Sequence, residues 1–281
     1  MGPYWGAVGD EGQDGVDFSL RDPAFLRRAR PVLELFTSWF RSEVRGFERL
    51  PPRGPFLVVG NHSGGQTPPD LPVLLTAWWR ERGEEEPVYA LFHSFFLGLP
   101  GVGPVMRRTG AVEASVAAAE AVLRSGAVLI DFPGGDHEVF RPWWERNRIE
   151  FGDRLGFVRL ALRTGVPVVP AVSVGAHETL VVLARGQAVA RLMRLDKLFR
   201  IKVMPLVFGP PFGLVPGGIP TLPLPSKITV EIGEPLDWPA RYGPDAADDD
   251  EVVRACYEEI TAVMQSTLDR LAAERRLPVL G

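Results

Sequence analysis

One histidine and one aspartate, His62 and Asp70, lie eight positions apart in a segment rich in glycine and proline, Val58 to Asp70. A neutral imidazole can take the proton from a hydroxyl group near pH 7. A carboxylate bonded to its other ring nitrogen fixes the tautomer and stabilises the imidazolium that forms. The pair therefore predicts general-base chemistry. The alternative is that Asp70 only caps a helix and His62 is a buried structural histidine.

A second glycine turn follows another apolar run, in the segment Leu129 to Pro142. Backbone amides in such a turn can donate to a developing oxyanion or to an acceptor headgroup, although Phe-Pro-Gly-Gly alone indicates only a tight turn. Arg141 is the nearest cation predicted to help binding, and the roles of the intervening charged residues stay open. The candidate binding residues of the two segments are Asn61, Ser63, Gly64, Phe132, Pro133, Gly134, Gly135 and Arg141.

Short apolar runs alternate with amphipathic stretches along most of the chain. The runs predict strands at 56–59, 87–92, 127–132, 166–174 and 228–232, and the amphipathic stretches predict helices at 22–50, 70–82, 113–125, 153–164 and 248–276. Strands of unbroken apolar residues between helices are typical of parallel sheets covered on both faces. We therefore predict an α/β fold with a mixed, mostly parallel sheet flanked by helices. Ligands bind beyond the carboxyl ends of strands in such sheets, where both glycine loops belong.

Composition excludes several classes of protein. The net charge of -4 gives no overall attraction to nucleic acid, so no nucleic-acid partner is expected. A single cysteine, Cys256, allows neither an intramolecular disulfide nor a cysteine-built metal site. The chain lacks a run of 18 apolar residues, and its acidic start does not fit a signal peptide. We expect a flexible leader and an amphipathic helix at 1–50, as an N-terminal extension, and the main domain at 51–281.

A basic amphipathic segment at 190–204 predicts contact with a membrane surface. Its candidate membrane contacts are Arg191, Arg194, Lys197 and Arg200, and the alternative is a surface helix with solvated charges. The proline-rich stretch that follows, 205–227, is predicted to be a covering loop. Glu178, in a loop after a strand, is a further candidate for lining the pocket. These features predict a cytoplasmic protein held peripherally at the inner face of the membrane.

The segments GNHSGG with its aspartate, FPGGDHE and VPVVPAVSVG, in this order, resemble the conserved blocks of the phospholipid/glycerol acyltransferase family over about 56–174. The resemblance implies a glycerol-phosphate acyltransferase-like fold in which His62 and Asp70 form the catalytic pair. The residues from Phe132 to Gly135 would match the acceptor-binding block. The implied donor is acyl-CoA or acyl carrier protein, the acceptor is a lipid hydroxyl, and no metal or other cofactor is required.

Two departures from the family pattern bear on the substrate. Seven residues separate His62 from Asp70, where the family usually has four, so the intervening residues must loop out. Gly134 takes the place of an acidic residue, which makes this block more similar to the mono- and diacylglycerol acyltransferase relatives. The predicted function is transfer of a fatty acyl group to a hydroxyl of a glycerolipid or related lipid. The alternatives are a thioester hydrolase on the same fold and a catalytically inactive lipid-binding protein.

Overall fold

The computed structural model describes residues 16–65, 67–192, 204–217, 219 and 221–281. The strands are β1 (Glu43–Arg45), β2 (Phe56–Gly60), β3 (Val88–Phe92), β4 (Ala111–Glu113), β5 (Val128–Asp131), β6 (Val168–Val174), β7 (Val181–Ala184), β8 (Leu206–Gly209), β9 (Gly213–Pro216) and β10 (Thr229–Ile232). Seven of them form one sheet in the order β1-β10-β6-β2-β5-β3-β4. The other three, β7, β8 and β9, form a small antiparallel sheet.

The large sheet is mostly parallel, as predicted. Strands β6, β2, β5, β3 and β4 run in one direction, and β10 pairs antiparallel with β6. Strand β2 lies between β5 and β6, and all five of its residues are buried. The two glycine loops follow β2 and β5, so both begin at the carboxyl edge of neighbouring parallel strands.

Helices cover both faces of the large sheet. They are α1 (Pro23–Ser38), α2 (Asp70–Arg82), α3 (Ser94–Gly98), α4 (Val102–Arg108), α5 (Val116–Arg124), α6 (Gly135–Val139), α7 (Gly156–Thr164), α8 (Gln187–Leu192), α9 (Trp238–Tyr242) and α10 (Asp250–Ala273). One core joins α5, α7 and α10 to the sheet, and Cys256 is buried in it. A second core joins α2 to the opposite face through side chains such as Trp78. None of the described helices is both long and apolar enough to cross a bilayer.

The N-terminal helix is shorter than predicted. It begins as expected, with the Asp22 side chain accepting the Phe25 N–H at 2.9 Å and a proline in the first turn, but it ends at Ser38. Arg41 then adopts a φ of 45°, and the chain enters β1, which pairs with β10. The predicted helix at 22–50 is therefore wrong beyond residue 38, because pairing with a distant strand determines the conformation of residues 43–45.

The prediction of a covering loop at 205–227 is also wrong in part. This stretch contains β8 and β9, whose register pairs Phe208 with Leu214. Glycines and prolines flank and interrupt both strands, and these residues conceal the alternation that would otherwise indicate a hairpin.

Candidate active site

The two described parts of the segment from the end of β2 to the start of α2, residues 60–65 and 67–70, approach each other closely. Gly64 and Gly65 adopt φ values of 99° and 70°, a conformation that costs glycine little. A Cβ atom on Gly64 would lie 2.5 Å from Cδ of Pro69, which shows how closely the two ends of the loop approach. Asp70, the first residue of α2, is thereby brought back to the histidine.

His62 and Asp70 are in hydrogen-bond contact. The Nδ1 atom of His62 lies 3.0 Å from Oδ2 of Asp70, which also accepts the N–H of Ser63 at 2.7 Å. The other oxygen, Oδ1, accepts the N–H of Leu71 at 2.8 Å. Asp70 is only 2% exposed, whereas the His62 side chain is 20% exposed, and no described group forms a hydrogen bond with Nε2. The arrangement orients the imidazole and leaves its second nitrogen available for a proton.

The electrostatic surroundings of His62 favour the protonated ring. Burial lowers the pKa of His62, but the charge and hydrogen bond of Asp70 raise it, and the charge of Glu138 adds to that effect. The net result is a pKa raised above the ordinary value of 6.5. A base of this kind accepts a proton readily near neutral pH.

The second glycine turn lies against the histidine ring. Phe132 stacks on His62 with ring centroids 4.7 Å apart, and a Cβ on Gly60 would lie 2.5 Å from this phenyl ring. Arg154 donates to the carbonyls of Pro133 and Gly134, at 2.7 Å for Pro133, and thereby fixes the turn. The N–H of Gly135 is used within the turn, by the carbonyl of Phe132, whereas no described group accepts the N–H of Gly134.

A buried ion pair, missed in the sequence, supports the same loop. Glu138 and Arg141, both fully buried, pair at 2.8 Å. Oε2 of Glu138 accepts the backbone N–H of His62 at 2.8 Å, and Arg141 donates to Oγ of Ser63 at 3.1 Å. Burial raises the pKa of Glu138, and the Arg141 charge opposes this rise. Glu138 lies in α6, whereas Arg141 follows the end of that helix, so their spacing of three positions was only a weak signal in the sequence.

Two candidate binding residues are used for structure. The side chain of Asn61 accepts the Ser173 N–H at 2.7 Å and donates to the Ser173 carbonyl at 2.9 Å, which ties the loop to β6. Glu178 is 3% exposed, and its Oε2 lies 2.5 Å from Arg275 and accepts the Val279 N–H at 2.6 Å. The carboxylate of Glu178 therefore anchors the C-terminal residues, and none of these partners belongs to either glycine loop.

The candidate membrane contacts are described only in part. Arg191 is exposed at the end of α8, and Arg194, Lys197 and Arg200 lie outside the described residues. Among the residues that are described, no group of three or more His, Cys, Asp or Glu is placed to hold a metal ion.

Asp131, the last residue of β5, is a second carboxyl group that the sequence did not single out. It is 8% exposed, and burial raises its pKa to about 7, although the charges of Arg154 and His62 oppose the rise. At neutral pH this group is divided between its protonated and ionised forms.

Known proteins share sequence and fold with this chain. A family model described as Acyltransferase matches residues 41–174, which include both glycine loops and β6. An uncharacterized protein of Mycobacterium tuberculosis is 35% identical over 96% of this chain and 72% of its own length. The chain belongs to the acyltransferase family. The predicted family membership is thus confirmed.

Two further proteins are similar to this chain. The human "DGAT1/2-independent enzyme synthesizing storage lipids" is 28% identical over 71% of this chain and 55% of its own length. The crystal structure of the 1-acyl-sn-glycerophosphate (LPA) acyltransferase PlsC from Thermotoga maritima superposes with a TM-score of 0.54, covering 88% of this chain and 80% of that one. At 20% identity, this structure establishes a shared fold and confirms the predicted fold class.

Proposed function

We propose that this protein transfers a fatty acyl group from a thioester donor, acyl-CoA or acyl carrier protein, to a hydroxyl of a glycerolipid acceptor. His62 is the general base, and Asp70 orients it. The proposal depends on one observation above all, the 3.0 Å contact between Nδ1 of His62 and Oδ2 of Asp70. This contact leaves Nε2, which no described group bonds, as the proton acceptor.

The proposed reaction has two steps. The acceptor hydroxyl gives its proton to Nε2 of His62 as its oxygen attacks the thioester carbonyl carbon, and a tetrahedral intermediate forms. The carbon–sulfur bond then breaks, the new ester remains, and the imidazolium returns its proton to the departing thiolate. Asp70 stabilises the imidazolium between the two steps. General-base assistance of this kind contributes about 10²–10⁴ in rate.

The backbone of the second glycine turn is the proposed partner for the negative oxygen of the intermediate. The N–H of Gly134 is the donor that we assign, because Gly134 is buried and the described residues leave this N–H unused. A preorganised donor in a site that excludes water stabilises such an oxygen strongly.

An acceptor hydroxyl on an uncharged lipid, such as a mono- or diacylglycerol, fits the charges near His62 best. Arg141 is fully buried and paired with Glu138, and Arg154 is bonded to the turn and to Asp136 at 3.0 Å. Both guanidinium groups are therefore occupied without a phosphate. The name of the human relative, which refers to storage lipids, supports the same acceptor class.

We propose no metal and no further cofactor, with acyl-CoA acting as a co-substrate. We also propose a peripheral position at the cytoplasmic, inner face of the membrane, where such an acceptor is dissolved. Support for the membrane comes from the basic composition of 190–204.

The test is incubation with acyl-CoA and a panel of acceptors, in which free thiol and acylated product are measured together. We expect thiol release that needs an acceptor, yields product in equal amount, and is lost in His62→Ala. His93→Ala is the matched control, because His93 is exposed at the start of α3. Thiol release without acylated product would indicate a thioester hydrolase. Lipid binding without thiol release would indicate an inactive lipid-binding protein.

A further inference from the structure

The small sheet presents apolar side chains on both of its faces. Val207 and Val215 are buried on the inner face, whereas Phe208 and its cross-strand neighbour Leu214 are each more than half exposed on the outer face. The outer face of an antiparallel sheet normally carries polar residues when water covers it. The outer face of β8 and β9 therefore has the composition of a contact surface.

This outer face continues onto the end of α1. Phe212 lies at the turn between β8 and β9, and the N–H of Leu222 donates to the carbonyl of Pro210 in the same turn at 2.8 Å. The indole N–H of Trp39 donates to the carbonyl of Pro223 at 3.0 Å. We call the exposed apolar side chains of these hydrogen-bonded segments the apolar rim. All are more than half exposed, and they are Trp39, Phe208, Phe212, Leu214 and Leu222.

The apolar rim adjoins the catalytic loop. A Cβ on Gly65 would collide with the side chain of Leu180, and Leu180 also lies beside Gly209 at the end of β8. The carbonyl of Thr179 accepts the N–H of Leu224 at 2.8 Å. One layer of residues thus separates the loop that carries His62 from the rim.

Two exposed arginines lie on the α1 side of the rim. Residues 205–226 contain no charged side chain at all. Arg28 lies on the same stripe of α1 as the exposed Val32, Leu35 and Trp39, and Arg41 donates to the carbonyls of Pro225 and Val279 at 2.9 Å. Among the described residues, neither of these exposed arginines pairs with a carboxylate. Apolar side chains with a tryptophan and arginines at their border are typical of surfaces that bind anionic bilayers.

We propose that the apolar rim docks on the surface of an anionic lipid bilayer and places the catalytic loop at the membrane. Phe208, Phe212 and Leu214 enter the boundary between headgroups and acyl chains, and Arg28 and Arg41 contact lipid phosphates. An acceptor dissolved in the bilayer would then reach His62 without crossing water. This last step depends on the proposed function, but the docking itself is measured without activity.

The first experiment is cosedimentation of the full chain with phosphatidylcholine vesicles, with and without phosphatidylglycerol. We expect binding that increases with phosphatidylglycerol and decreases with salt. The triple variant Phe208→Ser, Phe212→Ser, Leu214→Ser is expected to bind at least about tenfold more weakly. The control is Tyr242→Ser with Val263→Ser, which removes exposed apolar side chains from α9 and α10, on the other side of the sheet. Circular dichroism and thermal melting verify the fold of each variant.

A second measurement uses the native residues of the rim. Trp39 fluorescence, obtained as the difference between the unmodified chain and Trp39→Phe, is expected to be quenched by brominated lipids. Vesicle binding that is unchanged in the triple variant, or Trp39 that brominated lipids do not quench, overturns the proposal. A dimer in solution that the triple variant dissociates, with no vesicle binding, also overturns it in favour of a second copy.

The two proposals fail separately. Acyl transfer to a dispersed acceptor by a chain that never binds vesicles contradicts the docking alone. Vesicle binding through the rim, accompanied by thiol release that is the same in His62→Ala, contradicts the catalytic role of His62 alone.

Discussion

The carboxylate of Glu138 accepts the backbone N–H of His62 at 2.8 Å, across 76 positions of the chain. The same carboxylate pairs with Arg141, Arg141 donates to the hydroxyl of Ser63, and the N–H of Ser63 donates to Asp70. Asp70 in turn contacts Nδ1 of His62, so that these interactions form a closed ring. The backbone and the ring of His62 are therefore held by two different carboxylates, and buried groups join those carboxylates to each other.

The first prediction concerns Glu138→Gln. The carboxamide keeps the size of the side chain but removes the charge that favours the imidazolium, so we expect the pKa of His62 to fall. A lower pKa leaves more neutral base at low pH, and the acid limb of kcat/KM moves to lower pH while the maximal rate decreases. NMR titration of the His62 ring, assigned with His62→Ala, measures the pKa directly.

Glu86→Gln is the control for this variant. Glu86 pairs with Arg82 at 3.0 Å and accepts the indole N–H of Trp78, both in the last turns of α2, whereas Asp70 begins that helix. Loss of the Glu86 charge is expected to lower the free energy of unfolding without changing the pKa of His62. An unchanged His62 pKa in a folded Glu138→Gln protein would contradict the positioning role of Glu138.

The second prediction concerns Asp70→Asn. The amide cannot stabilise the imidazolium, and we expect kcat to fall by about 10²–10⁴. The folded pKa of His62 lies above 6.5, so its pairing contributes stability that is fully present below pH 6.5 and is lost as the pH rises through the folded pKa. Asp70→Asn is therefore expected to lose more stability at pH 6 than at pH 9. Urea denaturation at both pH values tests the sign, and an equal loss would exclude the linkage.

The contact between His62 and Asp70 and the main sheet could be predicted because their signals are local. A glycine-rich loop before a helix that begins with aspartate fixes the position of Asp70, and the predicted helix at 70–82 has the same bounds as α2. The strands of the sheet centre are continuous apolar runs, which need no knowledge of their neighbours.

Glu138 and β1 could not be predicted because their roles depend on distant partners. Glu138 contacts His62 only because β2 and β5 are adjacent, with Val59 opposite Asp131. Strand β1 is a three-residue polar segment that becomes a strand by pairing with β10. Neither the sequence around Glu138 nor that of β1 has a hydrophobic period or a helix-capping residue that distinguishes it from an ordinary surface segment.

The third prediction concerns Asp131→Asn. Because burial raises the pKa of Asp131 from 3.8 to about 7, the folded protein holds a proton that the unfolded chain releases between these values. Stability contributed by this proton is present at low pH and is lost as the pH rises towards 7, by about 1.4 kcal/mol per pKa unit at most. Asparagine does not ionise, so this loss is absent from the variant. The free energy of unfolding of the variant, minus that of the unmodified chain, is therefore expected to be larger at pH 8 than at pH 5. A difference that does not depend on pH would contradict the raised pKa.

The fourth prediction concerns Gly134→Ala. Gly134 has a φ of −63°, which alanine adopts without strain, so its backbone does not require glycine. The space around Gly134 does require glycine, since a Cβ would lie 2.5 Å from the Cβ of the fully buried Glu138 and still closer to its Oε2. We expect a loss of about 1–3 kcal/mol in the free energy of unfolding, together with at least a tenfold loss of thiol release as Glu138 is pushed away from His62.

Gly98→Ala is the matched control for this substitution. A Cβ at Gly98 would meet no atom within 4 Å, and its φ lies outside the positive region, so we expect a change within about 0.5 kcal/mol and unaltered activity. Urea denaturation and acyl-CoA turnover measure both variants. If Gly134→Ala is as stable and as active as Gly98→Ala, then the carboxylate of Glu138 does not need its observed position. The hydrogen bonds that link Glu138 to Asp70 would then not be required to hold His62.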